Sequence, residues 1–278
     1  MNSNPLQTYF RQPAIHIRLP SQGQFYAPGA IDIPANGEFP VLPMTTLDEI
    51  TYRTPDSLFN GSAIVNVIQS CIPNIKNAWS VPGMDIDPIL IAIRIATYGH
   101  ELTIETTCPN CGTERGYGVD LRVMLDKIST PDYGAAMQLG DLEIYLKPMT
   151  YQQMNTNNMA QFEEQKMLQA MQDPNLPPEQ RANLLGDALK KITAVTTNAL
   201  CQNIRLIKTP TAQVTEEAYI HEWLTNADRA TFARVRDHII QNKKRGEMPG
   251  LDLSCLNCGH QYEQAVTLDV TNFFGAAS

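Results

Sequence analysis

The residues most able to do chemistry stand in two short segments, Cys108-Pro109-Asn110-Cys111-Gly112 and Cys255-Leu256-Asn257-Cys258-Gly259. Paired CxxC turns offer four thiolates, the number that one tetrahedral zinc takes. The glycine after each pair permits a φ > 0 turn that aims backbone N–H groups at metal-bound sulfur. The same pairs could instead form two disulfides or two redox motifs, so the compartment matters. Met1 to Phe10 is polar, without the basic and apolar regions of a signal peptide, and no apolar run approaches the roughly 18 residues of a membrane span. These features predict a reducing cytoplasm, which favours metal over disulfides. Neither CxxC opens a helix after a strand, as redox motifs do. The expectation is one structural Zn2+ per chain, held by Cys108, Cys111, Cys255 and Cys258. Four sulfurs close the shell and leave no position for water, so the metal is expected to join strands rather than catalyse. His260 beside the second pair is read as a strand-end histidine, because the shell is complete without it.

The flanks predict what positions these sulfurs. Residues 102–107 and 117–121 around the first pair alternate apolar with polar, as half-buried strands do, and 251–253 and 262–270 do the same around the second. Two hairpins tipped by CxxC turns and facing each other make a zinc ribbon. Residues 112–254 lie between the pairs, so this ribbon is split by a large insertion.

Upstream, prolines and glycines crowd Pro13 to Pro43, with brief alternation at Ile15 to Leu19 and a short strand at Ala30 to Pro34. This predicts an extended arm that reaches for partners or for the chain's own ribbon. Thr46 and Glu49 stand at capping-box spacing for a short helix. A second helix is expected over 57–71, with Leu58, Ile64, Val65, Ile68 and Ile72 as its apolar stripe. A third is apolar nearly all round from Ile89 to Ala96; Asp87 is read as its cap, Pro88 as its first position and Tyr98-Gly99 as its end. Within the insertion, 137–149 reads as a hairpin about Gly140-Asp141. Helices follow over about 150–172, 179–203, 216–225 and 227–243. Met154, Met159, Met167 and Met171 could give the first an adaptable partner-binding surface, though ordinary packing is the better explanation. Leu185, Leu189, Ile192, Val195 and Ala199 are expected on the buried face of the second. Ile220, Trp223, Phe232, Val235 and Ile239 should be core positions of the last two.

The fold class predicted is α+β: an extended arm over 1–44, a helical N-terminal domain over 45–100, a first zinc-knuckle hairpin over 101–125, a mainly helical insertion with a β-hairpin over 126–249, and a second zinc-knuckle hairpin with a C-terminal tail over 250–278.

A net charge of −8 argues against a general phosphate-binding surface, so nucleic acid and membrane are not expected partners. The one basic cluster, Arg229, Arg234, Arg236, Lys243, Lys244 and Arg245, follows a predicted helix and complements its C-terminal dipole. Charged residues make up 18% of the chain against the usual quarter or so, and Asn, Gln and Thr take their place. Such a surface suits a life packed against other proteins. Nucleotide-binding, metalloprotease and nucleophile-elbow motifs are absent, and His16, His100, His221 and His238 show no spacing to carboxylates that suggests a triad. Asp85 and Asp87 tempt a paired-carboxylate reading, and Cys71 and Cys201 are lone helix cysteines read as buried hydrophobes. No catalytic residue is assigned.

In order along the chain, Leu19-Pro20-Ser21-Gln22-Gly23-Gln24-Phe25-Tyr26, Leu42-Pro43-Met44-Thr45-Thr46-Leu47-Asp48-Glu49, Asn60-Gly61-Ser62-Ala63-Ile64, Asp87-Pro88 to Arg94 with Tyr98-Gly99, and Cys108-Pro109-Asn110-Cys111-Gly112 resemble the T4-type baseplate hub family of contractile-tailed bacteriophages. The resemblance covers about the first 125 residues and returns at the second CxxC; the helical insertion carries no family signal. It implies a non-enzymatic protein that acts in baseplate assembly through contacts with other baseplate and tail proteins, and with itself in a symmetric ring. It further implies a protein made in the bacterial host cytoplasm and found, if retained, in the virion tail. A retained structural subunit is favoured, because a Pro-rich arm would need a neighbour to order it. Two alternatives stand beside it: a transient assembly chaperone absent from the mature virion, and a zinc-ribbon nucleic-acid-binding protein.

Overall fold

The computed structural model describes residues 4–54, 60–170 and 177–264, and these fall into two compact units. The first comprises Met1–Thr130 with Gly246–Ser278, the second Pro131–Arg245.

The first unit starts with the Pro-rich arm, much of which packs on the unit's own helices. Strands β1 (Ile15–Ile17) and β2 (Phe39–Val41) pair antiparallel, His16 opposite Pro40. Ile17, Leu19, Phe39 and Val41 are buried. They lie against α3 (Gly83–Tyr98), whose Ile89, Ile91, Ala92 and Ile93 are fully enclosed. Burying apolar side chains on both partners orders a segment that its prolines alone would leave extended. Polar ties reinforce the docking. The Arg11 guanidinium donates to Pro43 O (2.6 Å), to Ser70 O and Oγ (2.8 Å each) and to Asp48 Oδ2 (3.3 Å).

Helix α1 (Thr46–Tyr52) is capped one residue earlier than its sequence suggests. Thr45 Oγ1 accepts from Asp48 N–H while Asp48 Oδ2 accepts from Thr45 N–H, a complete capping box, and Glu49 is left to accept from Tyr98 OH (2.9 Å). Helix α2 (Ser62–Cys71) buries Ile64, Val65, Ile68 and Cys71; the predicted start at 57 and Leu58 lie outside the described residues. Helix α3 begins at Gly83 rather than at Pro88, so Asp87 is not its cap. Met84 and Ile86 are buried, and Asp85 receives hydrogen bonds from the arm, which draws an extra turn into the helix. Pro88 is tolerated inside at the loss of one backbone bond. Gly99, at φ +89°, ends the helix as expected.

The long hairpin of β3 (Glu101–Thr107) and β4 (Glu114–Asp120) follows, then a short helix α4 (Leu121–Lys127) that strand alternation did not foretell, capped by Asp120.

The second unit is built on an antiparallel sheet in the order β5 (Ala136–Leu139), β6 (Leu142–Leu146), β7 (Ile204–Lys208), β8 (Gln213–Val214). Helices α5 (Tyr151–Ala170) and α6 (Pro178–Gln202) intervene between β6 and β7, and α7 (Glu217–Asn226) and α8 (Arg229–Arg245) complete the unit. The predicted hairpin is therefore half of a larger sheet. Ile144, Leu146, Ile204, Ile207, Ile220 and Val235 form the centre of its core, with Trp223 and Phe232 packed at the edge. The buried face of α6 differs from expectation. Leu185 is exposed and Ile192, Val195 and Ala199 are half-buried, whereas Ala188, Thr197, Leu200 and Cys201 are enclosed. Helix α5 explains the shift: it buries Asn157 and Glu164, and Asn157 Nδ2 donates to Gln202 Oε1 (3.0 Å), so the seam is polar and favours small neighbours. Met154 and Met159 are half-buried in this helix, and the Met167 side chain and Met171 lie outside the described residues. The basic residues of α8 are all exposed, Lys243 to Arg245 in its last turn.

Back in the first unit, β9 (Leu251–Ser254) and β10 (Gln261–Gln264) form a second hairpin, Ser254 opposite Gln261. The predicted continuation to 270 lies outside the described residues.

Candidate metal centre

The two CxxC turns are the same loop built twice. In each, six residues (108–113 and 255–260) join the hairpin strands. Cys108 N–H donates to Thr113 O (3.0 Å) and Gly112 N–H to Cys108 O (2.9 Å); the matching bonds run from Cys255 N–H to His260 O (2.9 Å) and from Gly259 N–H to Cys255 O (2.7 Å). Gly112 and Gly259 both sit at φ +70°, the left-handed conformation that an L side chain resists. Hydrogen bonds between strand residues help hold the hairpins together. Thr106 Oγ1 donates to Gln264 Oε1 (2.6 Å) and Tyr117 OH to Ser254 O (3.2 Å).

This duplication brings four sulfurs into one cluster. All lie within 4.8 Å of one another. Two pairs cross between the turns, Cys108 to Cys258 at 3.8 Å and Cys111 to Cys255 at 3.7 Å. Metal–sulfur bonds of about 2.3 Å at tetrahedral angles put sulfurs about 3.8 Å apart, so the spacing fits a four-thiolate shell. A disulfide would need about 2.05 Å. All six cysteines are free thiols. The turns sit on hairpins, not at the start of helices, which removes the redox geometry as well. Among the described residues, these cysteines are the one group of three or more His, Cys, Asp or Glu side chains placed to share a metal. His260 is exposed and its ring stacks on Tyr262.

The sulfurs are not equivalent. Cys108 and Cys255 are 2% and 3% exposed, while Cys111 and Cys258 face solvent. Hydrogen bonding from the Thr113 hydroxyl, then from its amide and from Asn257, draws the Cys111 thiol down to about 5. Amides of Cys258 and Asn257 lower Cys255, whereas burial pushes Cys108 up to about 11. Side-chain amides also reach the cluster, Asn110 Nδ2 to Cys258 Sγ (3.6 Å) and Asn257 Nδ2 to Cys111 Sγ (3.7 Å). The sequence reading passed over these asparagines, although the repeated CxNCG of the two loops carried the signal.

The other candidates resolve into structural groups. Asp85 is fully buried and accepts from Ser21 N–H (2.8 Å), Ser21 Oγ and Tyr26 OH (3.0 Å); burial raises it to about 6 against the pull of those bonds. It tethers the turn after Leu19, where Gln22 and Phe25 take positive φ. Cys71 and Cys201 are buried, which pushes their thiols up to about 12 and about 11. A cleft of about 720 Å³ in the first unit is lined by Leu19, Phe39, Pro88 and Leu125, with His16 and Asp126 among its polar residues and none of the cysteines. No helix among the described residues is long and apolar enough to cross a membrane.

No curated protein and no solved structure matches the chain. A family model, that of the T4 bacteriophage base plate protein, matches residues 43–275. The match takes in the helical segment that showed no family signal in the sequence, and it leaves out Leu19 to Tyr26, which counted toward the resemblance. It spans most of the chain, both CxxC turns included, and on that ground the chain belongs to the T4 bacteriophage base plate protein family.

Proposed function

We propose that the chain is a non-enzymatic structural component of a contractile-tail phage baseplate, in the hub or inner baseplate, that assembles by protein–protein contacts and is stabilised by one Zn2+. Family membership supports the baseplate role and contact with other tail proteins. The observation that carries the metal is the four-sulfur cluster drawn from hairpins far apart in sequence. Cys108, Cys111, Cys255 and Cys258 would hold the ion, and the closed shell would supply a crosslink with no site for water. In this reading the two hairpins are halves of one zinc ribbon and 126–249 is inserted between them. Thiolate ligands select soft or borderline ions, among which zinc suits a reducing host cytoplasm during assembly.

The arm changes one part of the argument. Its burial against α3 and the Arg11 bonds support ordering by its own unit, and on that reading its proline content does not favour retention over a transient assembly role. Mass spectrometry of purified virions decides between them: stoichiometric copies in mature tails are expected, and absence from them would leave only the transient role. Metal analysis of the purified protein tests the other half, with one zinc per chain expected and none, or a different metal, counting against it.

A further inference from the structure

We propose that Asn110 and Asn257 are positioning residues for the metal-bound sulfurs, each reaching across the ribbon to shield the exposed thiolate of the opposite knuckle. The inference rests on the four-sulfur metal site proposed above. In each knuckle the first cysteine is served by its own turn: the amides of Cys111 and Asn110 face Cys108, and those of Cys258 and Asn257 face Cys255. The second cysteine points outward, where water and competing ligands have access. It is this sulfur that the opposite asparagine meets, Asn110 Nδ2 at 3.6 Å from Cys258 Sγ and Asn257 Nδ2 at 3.7 Å from Cys111 Sγ. The arrangement is reciprocal, and it comes from the same loop position in both halves. An amide N–H donated to a metal thiolate withdraws charge from sulfur and fixes its direction, so the metal is held more tightly and the sulfur is a poorer leaving ligand.

An asparagine in a tight turn has an ordinary explanation, since its side chain often bonds its own backbone. Here the amides run to the other hairpin instead. The two are also unequal in a way that a turn role would not produce. Cys111 has a second neighbour in Thr113, whose hydroxyl lies 3.3 Å away and itself accepts from Asn257 (3.2 Å). The matching position in the other knuckle is His260, whose ring turns to Tyr262. Cys258 therefore depends more on Asn110 than Cys111 does on Asn257.

The test uses the full-length protein loaded with Zn2+ or Co2+ and the variants Asn110→Leu, Asn257→Leu and Asn110→Gln. Release to the chelator 4-(2-pyridylazo)resorcinol is timed, and the sulfur-to-cobalt charge-transfer band is recorded. Asn110→Leu should release metal about 10-fold faster and shift the band, the order expected for loss of an outer-shell partner. Asn257→Leu should do less, and Asn110→Gln, which keeps an amide donor, should recover part of both signals. Unchanged release and an unmoved band in fully loaded Asn110→Leu would overturn the inference while leaving the metal site intact. A parent protein that takes up neither metal would instead remove the site itself and the inference with it.

Discussion

Two of the antiparallel β assemblies among the described residues solve the same problem with different chemistry. The sheet β5–β8 is closed by apolar side chains: Ile144 and Ile204 are buried with Leu146, Ile207 and helix residues Ile220 and Val235 over them. The paired hairpins β3/β4 and β9/β10 bury almost nothing comparable. Their described enclosed residues are Thr106, Cys108 and Cys255, and polar side-chain hydrogen bonds rather than apolar packing join the hairpins. A two-stranded hairpin is at best marginal in water, and a pair of them with so little apolar area gains little from docking. The first assembly can hold itself together. If the proposed metal is bound, the second has its cohesion concentrated in four sulfurs and depends on that ion.

Metal removal is therefore the largest expected effect. Chelation, or Cys255→Ser with Cys258→Ser, should release both hairpins, since four-thiolate zinc binding is worth about 10 kcal/mol or more in small folds. Hydrogen exchange should accelerate across 101–120 and 251–264 and stay unchanged across 136–146. Slow exchange in metal-free hairpins would erase the contrast. The reciprocal change is Ile144→Ala, which opens a cavity in the apolar sheet and should cost about 2–5 kcal/mol. The melting transition of residues 131–245 should fall while metal content stays the same.

The contrast also explains what could be read from the sequence. The CxxCG turns and the C-terminal part of α3 were legible because their signals are local: fixed spacing, and a nearly all-apolar run from Ile89 closed by Tyr98-Gly99. Strand β7 was not, since Ile204 to Lys208 becomes a strand by pairing with β6 across the whole of α5 and α6. The arm's contacts were hidden for a like reason. Nothing local in Ile15 to Leu19 says that Arg11 will reach Ser70 or that Ser21 will meet Asp85. Helix α4 is only seven residues long, too short to show a period against the strand that precedes it. Asn110 and Asn257 were visible as a repeat, but their partners lie on the opposite hairpin and only the fold brings them there.

A pH titration separates the two kinds of cohesion by sign. Asp85 has a native pKa of about 6, above the unfolded carboxyl near 3.9, so the native state holds a proton that the unfolded chain releases between those values. The arm should therefore gain up to about 3 kcal/mol as pH falls from 7 toward 4 and lose it as pH rises through 6. The proposed metal site would move the other way, because protonation of its thiolates would release the ion. Exchange at the Ser21 amide should slow on acidification while exchange in 101–120 quickens. Asp85→Asn should flatten the first response and leave the second. Arm exchange that quickened on acidification would show that the buried carboxyl is charged in the native state at neutral pH.

The smallest effect tests whether the duplicated loops carry their own conformational cost, apart from the metal. Gly112 and Gly259 both sit at φ +70°, and a Cβ added at either would meet no atom within 4 Å. Space is open, so Gly112→Ala and Gly259→Ala should each cost about 1–2 kcal/mol through backbone strain alone. Gly118, on β4 of the same hairpin, also has open space but no positive φ. Gly118→Ala should therefore be neutral or stabilise slightly, because alanine loses less backbone freedom on folding. Competition against a chelator reads all three in one measure: the loop alanines should weaken metal retention about 5- to 30-fold, the factor that 1–2 kcal/mol converts to, and the strand alanine should not. Equal retention in all three would mean that the ion, once bound, dictates the turn, and that the glycines serve only to let the loops form before it arrives.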